Sequence, residues 1–254
     1  MDKTLKIGWL FPNTFSLHGD RGNILAIRAE GVRRGYRVEI DQINLDTKEF
    51  NPLDYDFIFC PPGEIVHFEA VIAFLKPHRE AFITFIENHP MLVTGTSIGV
   101  FGKKINRNDK TIINGLGLIG LEVNENHAVY GDDLYYICEY NGNKMEIIGN
   151  QIQMMDADIN EESPFGYLKY GYGNTGKTKF EGAKSGKAIF TNTLGPLLVC
   201  NPWLTEEIMN LIETNKELPV WEEKRDNSLE VNSLKTKVAL IEKKESRLIS
   251  VDER

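Results

Sequence analysis

Three short apolar runs, Lys6 to Phe11, Asp56 to Cys60 and Met91 to Thr94, each meet a glycine or proline turn and then lead into apolar residues at helical spacing. After the first, Gly22 to Arg34 sets Ile24, Ala26 and Ile27 on a helix that Gly35 stops. After the second, Val66 to Asn88 carries a long helical pattern, and Tyr36 to Ile43 alternates as a strand does. Parallel strands need crossovers of about a dozen residues or more, and helices of this length supply them. The expected fold class is therefore α/β, a mainly parallel central sheet with helices on both faces. From about Gly115 the rhythm changes. Glu122 to Val129, Leu134 to Tyr140 and Lys144 to Gly149 read as strands divided by short turns such as Asn141-Gly142-Asn143, which predicts added antiparallel hairpins. Lys187 to Thr193 reads as a further strand, and Trp203 to Asn215 as a helix capped by Thr205 with Glu206 and Glu207 in its first turn. Residues 1–221 are taken as one domain. Residues 222–254 form a charge-rich tail, expected to be partly helical and packed on the domain or on a partner.

Charge removes several function classes. With 37 acidic and 29 basic residues the net charge is −8, a sign that repels phosphate backbones and anionic lipid, so no nucleic-acid role is expected. The N-terminal MDKTLKIGWLF is too weakly apolar for a signal-peptide core, and the stretch from Asn88 to Gly102 is too short and too polar to span a bilayer. No membrane insertion is expected, and the location is read as cytoplasmic. Cys60, Cys138 and Cys200 are odd in number and lack C-x-x-C spacing, which predicts neither a disulfide framework nor a metal site. No cofactor is expected.

Three motifs invite chemistry. Gly171 to Thr178 satisfies G-x-x-x-x-G-K-[ST], but the following segment holds Gly182 and Gly186 and offers no helical stripe, so a glycine-rich hairpin turn is predicted rather than a phosphate loop. Gly95-Thr96-Ser97-Ile98-Gly99 satisfies G-x-S-x-G between a strand and a helix, the setting of a nucleophile elbow. A serine needs a base, and in α/β hydrolases the histidine comes late in the chain, whereas His18, His67, His78, His89 and His127 all lie in the first half. The loop Phe15 to Asn23 packs Asp20, Arg21 and two glycines between the first strand and its helix. It is read equally as a ligand loop at the carboxyl end of a parallel strand or as a helix cap with Asp20 paired to Arg21.

The residues Leu17 to Arg28 (LHGDRGNILAIR), Asp56-Phe57-Ile58-Phe59, the elbow running into Phe101-Gly102-Lys103-Lys104, Gly115-Leu116-Gly117-Leu118, Gly171-Tyr172-Gly173-Asn174 and Thr191 to Leu198 (TNTLGPLL) follow one another in a familiar order. In that order the chain resembles the CobB/CobQ-like class I glutamine amidotransferases, and among them the glutaminase subunits of lipid II isoglutaminyl synthases. The resemblance implies a flavodoxin-like, class I glutamine-amidotransferase-like sheet. It also implies a cysteine on the elbow that attacks glutamine, a late histidine as base, and a Mur-ligase-like (MurT-type) ATP-dependent synthetase partner that takes the ammonia in peptidoglycan precursor amidation.

Carried over position by position, the chemistry is missing. The position of the nucleophile is Gly95 and that of the base is Leu194. The glycine loop that helps hold the oxyanion reads Pro61-Pro62-Gly63, and proline has no N–H to donate. Ser97 and Cys60 are the fallback nucleophiles. The expectation is a catalytically degenerate subunit with no glutaminase activity, acting structurally or as a regulator of the synthetase. The alternatives are an active glutaminase using groups elsewhere, and a small-ligand sensor that holds glutamine or another small ligand near Asp20, Arg21, Gly63 and Thr96.

Overall fold

The computed structural model describes residues 3–219, 221–223 and 225–252, with 247–252 described by their backbone alone. Its centre is a six-stranded sheet built from β1 (Thr4–Leu10), β2 (Arg37–Ile43), β3 (Phe57–Cys60), β4 (Met91–Thr94), β13 (Ala183–Ser185) and β14 (Ala188–Thr191). The spatial order is β13-β14-β4-β3-β1-β2, and every pair is parallel except β13 with β14. All four residues of β3, β4 and β14 are buried, as expected of strands covered on both faces.

The two-residue period of a strand sends alternate side chains to opposite faces. Phe57 and Phe59 of β3, Leu92 of β4 and Ile189 of β14 join one core with α1 (Gly22–Arg33), α5 (Leu197–Cys200) and α6 (Pro202–Asn215). Ile58, Cys60, Met91, Val93, Ala188 and Phe190 join the other, with α2 (Phe68–Leu75), α3 (Arg79–Asn88) and α4 (Ile98–Phe101). The mainly parallel sheet and the helices on both faces are thus as expected from the sequence.

Two smaller sheets extend these cores. Strands β5 (Lys104–Asn106), β6 (Ile112–Asn114), β7 (Glu122–Tyr130) and β10 (Gln153–Asp158) form one in the order β10-β7-β5-β6. Strands β8 (Asp133–Tyr140), β9 (Asn143–Asn150), β11 (Gly166–Tyr170) and β12 (Phe180–Glu181) form the other, fully antiparallel, in the order β12-β11-β8-β9. The turn between β8 and β9 puts Asn141 at φ 50° and Gly142 at φ 79°, the pair of positive φ values that a two-residue hairpin requires.

Four local expectations need correction. The long helix over Val66 to Asn88 is two helices, α2 and α3, with a 3-10 turn at Lys76–His78, because Pro77 has no N–H to continue the ladder. Strands β7 and β8 do not form a hairpin, since β7 pairs with β10 and, in parallel, with β5. The strand predicted from Lys187 to Thr193 is shorter, Ala188–Thr191. Thr205 does not cap α6. The helix starts at Pro202, and Asn201 before it exchanges hydrogen bonds with the Ile148 backbone on β9, accepting at 2.9 Å and donating at 2.8 Å. Thr205 lies inside the helix and donates to the Leu198 carbonyl at 2.8 Å.

The Gly171 to Thr178 segment is the loop between β11 and its antiparallel partner β12, and no helix follows it. In the charged tail, Ser228–Asp252 forms a helix, α7. No helix among the described residues is long and apolar enough to cross a membrane.

Candidate functional site

The carboxyl ends of β1, β3, β4 and β14 lie side by side, and the loops that leave them converge. Strand β4 turns into α4 through Gly95–Ser97, with Gly95 at φ 57°. This is a sharp strand-to-helix bend in a left-handed conformation that glycine tolerates best. A Cβ placed on Gly95 would lie 2.8 Å from Pro62 Cβ and 3.5 Å from Leu194 Cδ2. Three positions far apart in sequence, Gly95, Pro62 and Leu194, therefore meet at one point, and the space a side chain on residue 95 would enter is filled by a proline ring and a leucine.

The loop after β3 is fastened to this bend by hydroxyls. Ser97 Oγ donates to the Pro61 carbonyl at 2.6 Å, and Ser97 is fully buried. Thr96 Oγ1 donates to the Gly63 carbonyl at 2.6 Å and accepts from the Gly63 amide at 3.1 Å. The one N–H that this Pro-Pro-Gly loop retains at Gly63 is thereby engaged. Gly63 itself must be glycine, because a Cβ there would sit 1.9 Å from the Phe15 ring. Cys60 is fully buried at the end of β3, and burial pushes its thiol well above the usual range, offset in part by a contact with Ser97. A thiol held protonated is a poor nucleophile. Among the described residues no hydrogen bond joins a histidine to Ser97 or Cys60, and His18 is exposed in the first loop.

Asp20 is 1% exposed and ties three segments together. Its Oδ2 accepts from Thr94 Oγ1, and Asn23 and the Gly195 amide also approach the carboxylate. Burial raises its pKa to about 6, against the lowering effect of these three contacts, and Oδ1 has no partner. Asn23 continues the tie by accepting from the Leu198 amide at 2.8 Å. The helix-cap reading of Asp20 fails, because Arg21 rather than Asp20 precedes α1 and no side chain caps it. Among the described residues Arg21 forms no ion pair with Asp20. It is exposed and lines a cavity of about 400 Å³ with Trp9, Pro12, Phe15, Ser16, Gly19 and Pro61. Of the four residues expected to hold a ligand, Arg21 alone faces this cavity, while Asp20, Gly63 and Thr96 are buried.

A second buried carboxylate escaped the sequence reading. Glu181 is fully buried beside the end of β14, where its Oε1 accepts from Thr191 Oγ1 at 2.6 Å, Thr193 Oγ1 at 3.1 Å and the Asn192 amide at 2.9 Å. Burial raises its pKa over the opposing effect of these bonds, and Tyr136 OH lies 2.9 Å from Thr193 Oγ1. The run Thr191-Asn192-Thr193 hints at a hydroxyl-lined acceptor, but Glu181 ends the two-residue strand β12 with nothing in its sequence surroundings to mark it. Leu194, next in the chain, is 2% exposed and exchanges backbone hydrogen bonds with Asn150, donating at 2.9 Å and accepting at 3.1 Å. Among the described residues no cluster of His, Cys, Asp or Glu is placed to hold a metal ion.

Fold and site together define an α/β protein with a sharp, left-handed strand-to-helix bend at the carboxyl edge of a parallel sheet, closed over by the neighbouring loops. Over 233 residues the chain is 23% identical to subunit GatD of the glutamine-hydrolyzing lipid II isoglutaminyl synthase of Staphylococcus aureus (strain N315), covering 90% of this chain and 93% of that one. No protein-family model matches the sequence. Among solved structures, it aligns with a crystal structure of a glutamine amidotransferase at TM-score 0.47 and 14% identity, over 81% of this chain and 98% of the other. It also aligns with the glutaminase domain of Trypanosoma brucei CTPS with bound acivicin, at TM-score 0.31 and 13% identity, over 60% of this chain and 67% of the other.

Proposed function

We propose that this protein is a GatD-like subunit of a Mur-ligase-like, MurT-type amidating complex acting on cell-wall precursors, and that its own glutaminase centre is closed. The similarity to GatD along most of both chains supports the first half. The second half rests on the bend. Gly95 keeps the left-handed backbone of a nucleophile elbow, yet it carries no side chain and faces Pro62 and Leu194 across 2.8 and 3.5 Å from where its Cβ would be. Acyl transfer from glutamine needs an ionisable nucleophile, a base within hydrogen-bond reach and donors for the oxyanion. Here the nearby hydroxyl and thiol are buried, the Ser97 proton is committed to a carbonyl, and the Gly63 amide is committed to Thr96. The shell then serves to dock on and shape the synthetase, which takes free ammonia or another nitrogen source.

The test is co-purification of the protein with a Mur-ligase-like synthetase, followed by amidation assays with ammonium or glutamine as the sole nitrogen source. The reading expects a stable complex that amidates its substrate with ammonium and not with glutamine. Glutamine-dependent amidation by the purified pair, or failure to bind such a synthetase, would overturn it.

One observation favours a second reading, a ligand sensor. The cavity of about 400 Å³ beside Arg21 opens next to the closed bend and presents a guanidinium, a serine hydroxyl and aromatic walls, a lining suited to a small anion with an apolar body. Calorimetry with glutamine, glutamate and related amino acids, repeated on Arg21→Ala, separates the two. The sensor reading requires binding that the substitution abolishes.

A further inference from the structure

The last described helix, α7, lies against β9, and the way it is fastened is unusual for a helix of this length. A helix normally docks by an apolar stripe. On α7, Val231, Leu234 and Val238 are only half-buried, and Ile241 is the one fully buried side chain among its described residues. Two lysines supply the rest. Lys237 Nζ reaches the Gly149 carbonyl at 2.9 Å, Asn150 Oδ1 at 2.7 Å and Asp133 Oδ1 at 3.0 Å, one acceptor for each of the three protons of an ammonium group. Lys244 Nζ, two turns further on, reaches Asp132 Oδ1 at 3.0 Å and Asp133 Oδ2 at 2.8 Å, and stands 5.8 Å over the Tyr170 ring. Burial acts to raise the Asp132 and Asp133 carboxyls, and their contacts with Tyr170 and these lysines outweigh it and hold both below the usual range.

One of the residues that Lys237 grips, Asn150, also pairs with the loop that packs against the bend. Asn150 exchanges both of its backbone hydrogen bonds with Leu194, and its side-chain nitrogen would lie 3.1 Å from a Cβ on Gly195. Cys200 Sγ closes the same loop by donating to the Gly195 carbonyl at 3.0 Å. A chain of direct contacts therefore runs from the tail helix through Lys237 and Asn150 to Leu194, the residue packed against the bend at Gly95.

We infer that α7 is a releasable strap, held mainly by the Lys237 and Lys244 clamp, whose attachment keeps the loop bearing Leu194 closed over the bend. Because the clamp is charged and partly open to solvent, screening weakens it while leaving the two apolar cores intact. The inference concerns the mechanics of the site and holds whether or not the site turns over glutamine.

Hydrogen–deuterium exchange on the full chain tests it, with wild type in dilute buffer and in about 1 M sodium chloride, where the screening length falls to about 3 Å, and with Lys237→Met/Lys244→Met in dilute buffer. Methionine keeps the aliphatic stems and the helix propensity while removing both charges. The strap predicts that exchange over 228–252 and at the Asn150 and Leu194 amides rises together, by roughly tenfold or more, while β3 and β4 keep their protection. A tail helix that stays protected in the double variant shows that the charges do not hold it. A tail helix that opens while Asn150 and Leu194 keep their protection shows that the strap does not govern the loop. If the double variant unfolds as a whole, the salt comparison on the wild type decides by the same two criteria.

Discussion

The carboxyl ends of β4 and β14 are neighbours in the central sheet and treat chemistry in opposite ways. At the end of β4, the bend at Gly95 looks onto Pro62 and Leu194, apolar groups that fill the space a side chain would use. At the end of β14, Glu181 draws Thr191, Thr193 and the Asn192 amide into a fully buried cage, and Asp20 ties the Gly195 amide beyond it to Thr94, the last residue of β4. At both ends the buried polar side chains hold loops in place, and only the groups facing Gly95 itself are apolar. Glu181 Oε1 and Asp20 Oδ2 are bonded while Glu181 Oε2 and Asp20 Oδ1 have no partner, and the bonded oxygens hold the loops independently of turnover.

The sharpest way to break this contrast is to empty the cage. Glu181→Ala should leave two hydroxyls and an amide without their acceptor and open a void, costing about 3 kcal/mol in urea denaturation, whereas Glu181→Gln should cost less. A loss below about 1 kcal/mol for the alanine variant would mean that the cage does not hold the loop.

Next in size is the titration of Asp20. Its pKa is raised by burial from 3.8 to about 6, so between these values the folded state holds a proton that the unfolded state has released. Stability should therefore fall as pH rises from about 4 to above 6, by up to about 3 kcal/mol, the reverse of a salt-bridged carboxylate. Asp20→Asn should remove that slope. Denaturation curves at several pH values check this, and an unchanged slope in the variant would assign the titration elsewhere.

At the bend, Gly95→Cys should destabilise by about 2 kcal/mol, since it adds a side chain at φ 57° and presses it onto Pro62. Combining it with Pro62→Gly and Leu194→His should recover part of that loss and yield a thiol that alkylates faster than Cys60, Cys138 or Cys200. No difference in alkylation would argue against a closed elbow. The smallest effect is expected of Ser97→Ala, about 1 kcal/mol from the bond to the Pro61 carbonyl, measured by thermal unfolding.

The same contrast governs what the sequence made legible. Strands β3 and β4 are covered on both faces, and they appear as unbroken apolar runs whose ends coincide closely with the observed ones. The elbow motif likewise announced a strand-to-helix bend. The partner of β7 was not legible, because alternation reports a half-buried strand and not which strand it joins. Pro77 was visible inside the pattern from Val66 to Asn88, and its missing N–H outweighed the periodicity around it. The meeting of Gly95, Pro62 and Leu194 came into view only through a family resemblance, since residues 33 and 99 positions from Gly95 share no local pattern with it. Glu181 left no trace, because a buried acid is defined by donors that folding brings to it.

The most direct measurement of the central claim is glutamate release from glutamine by the purified chain, alone and mixed with a Mur-ligase-like synthetase. A closed elbow predicts a rate no greater than that without protein in both cases. Turnover in either preparation that disappears in Ser97→Ala or Cys60→Ala would contradict it.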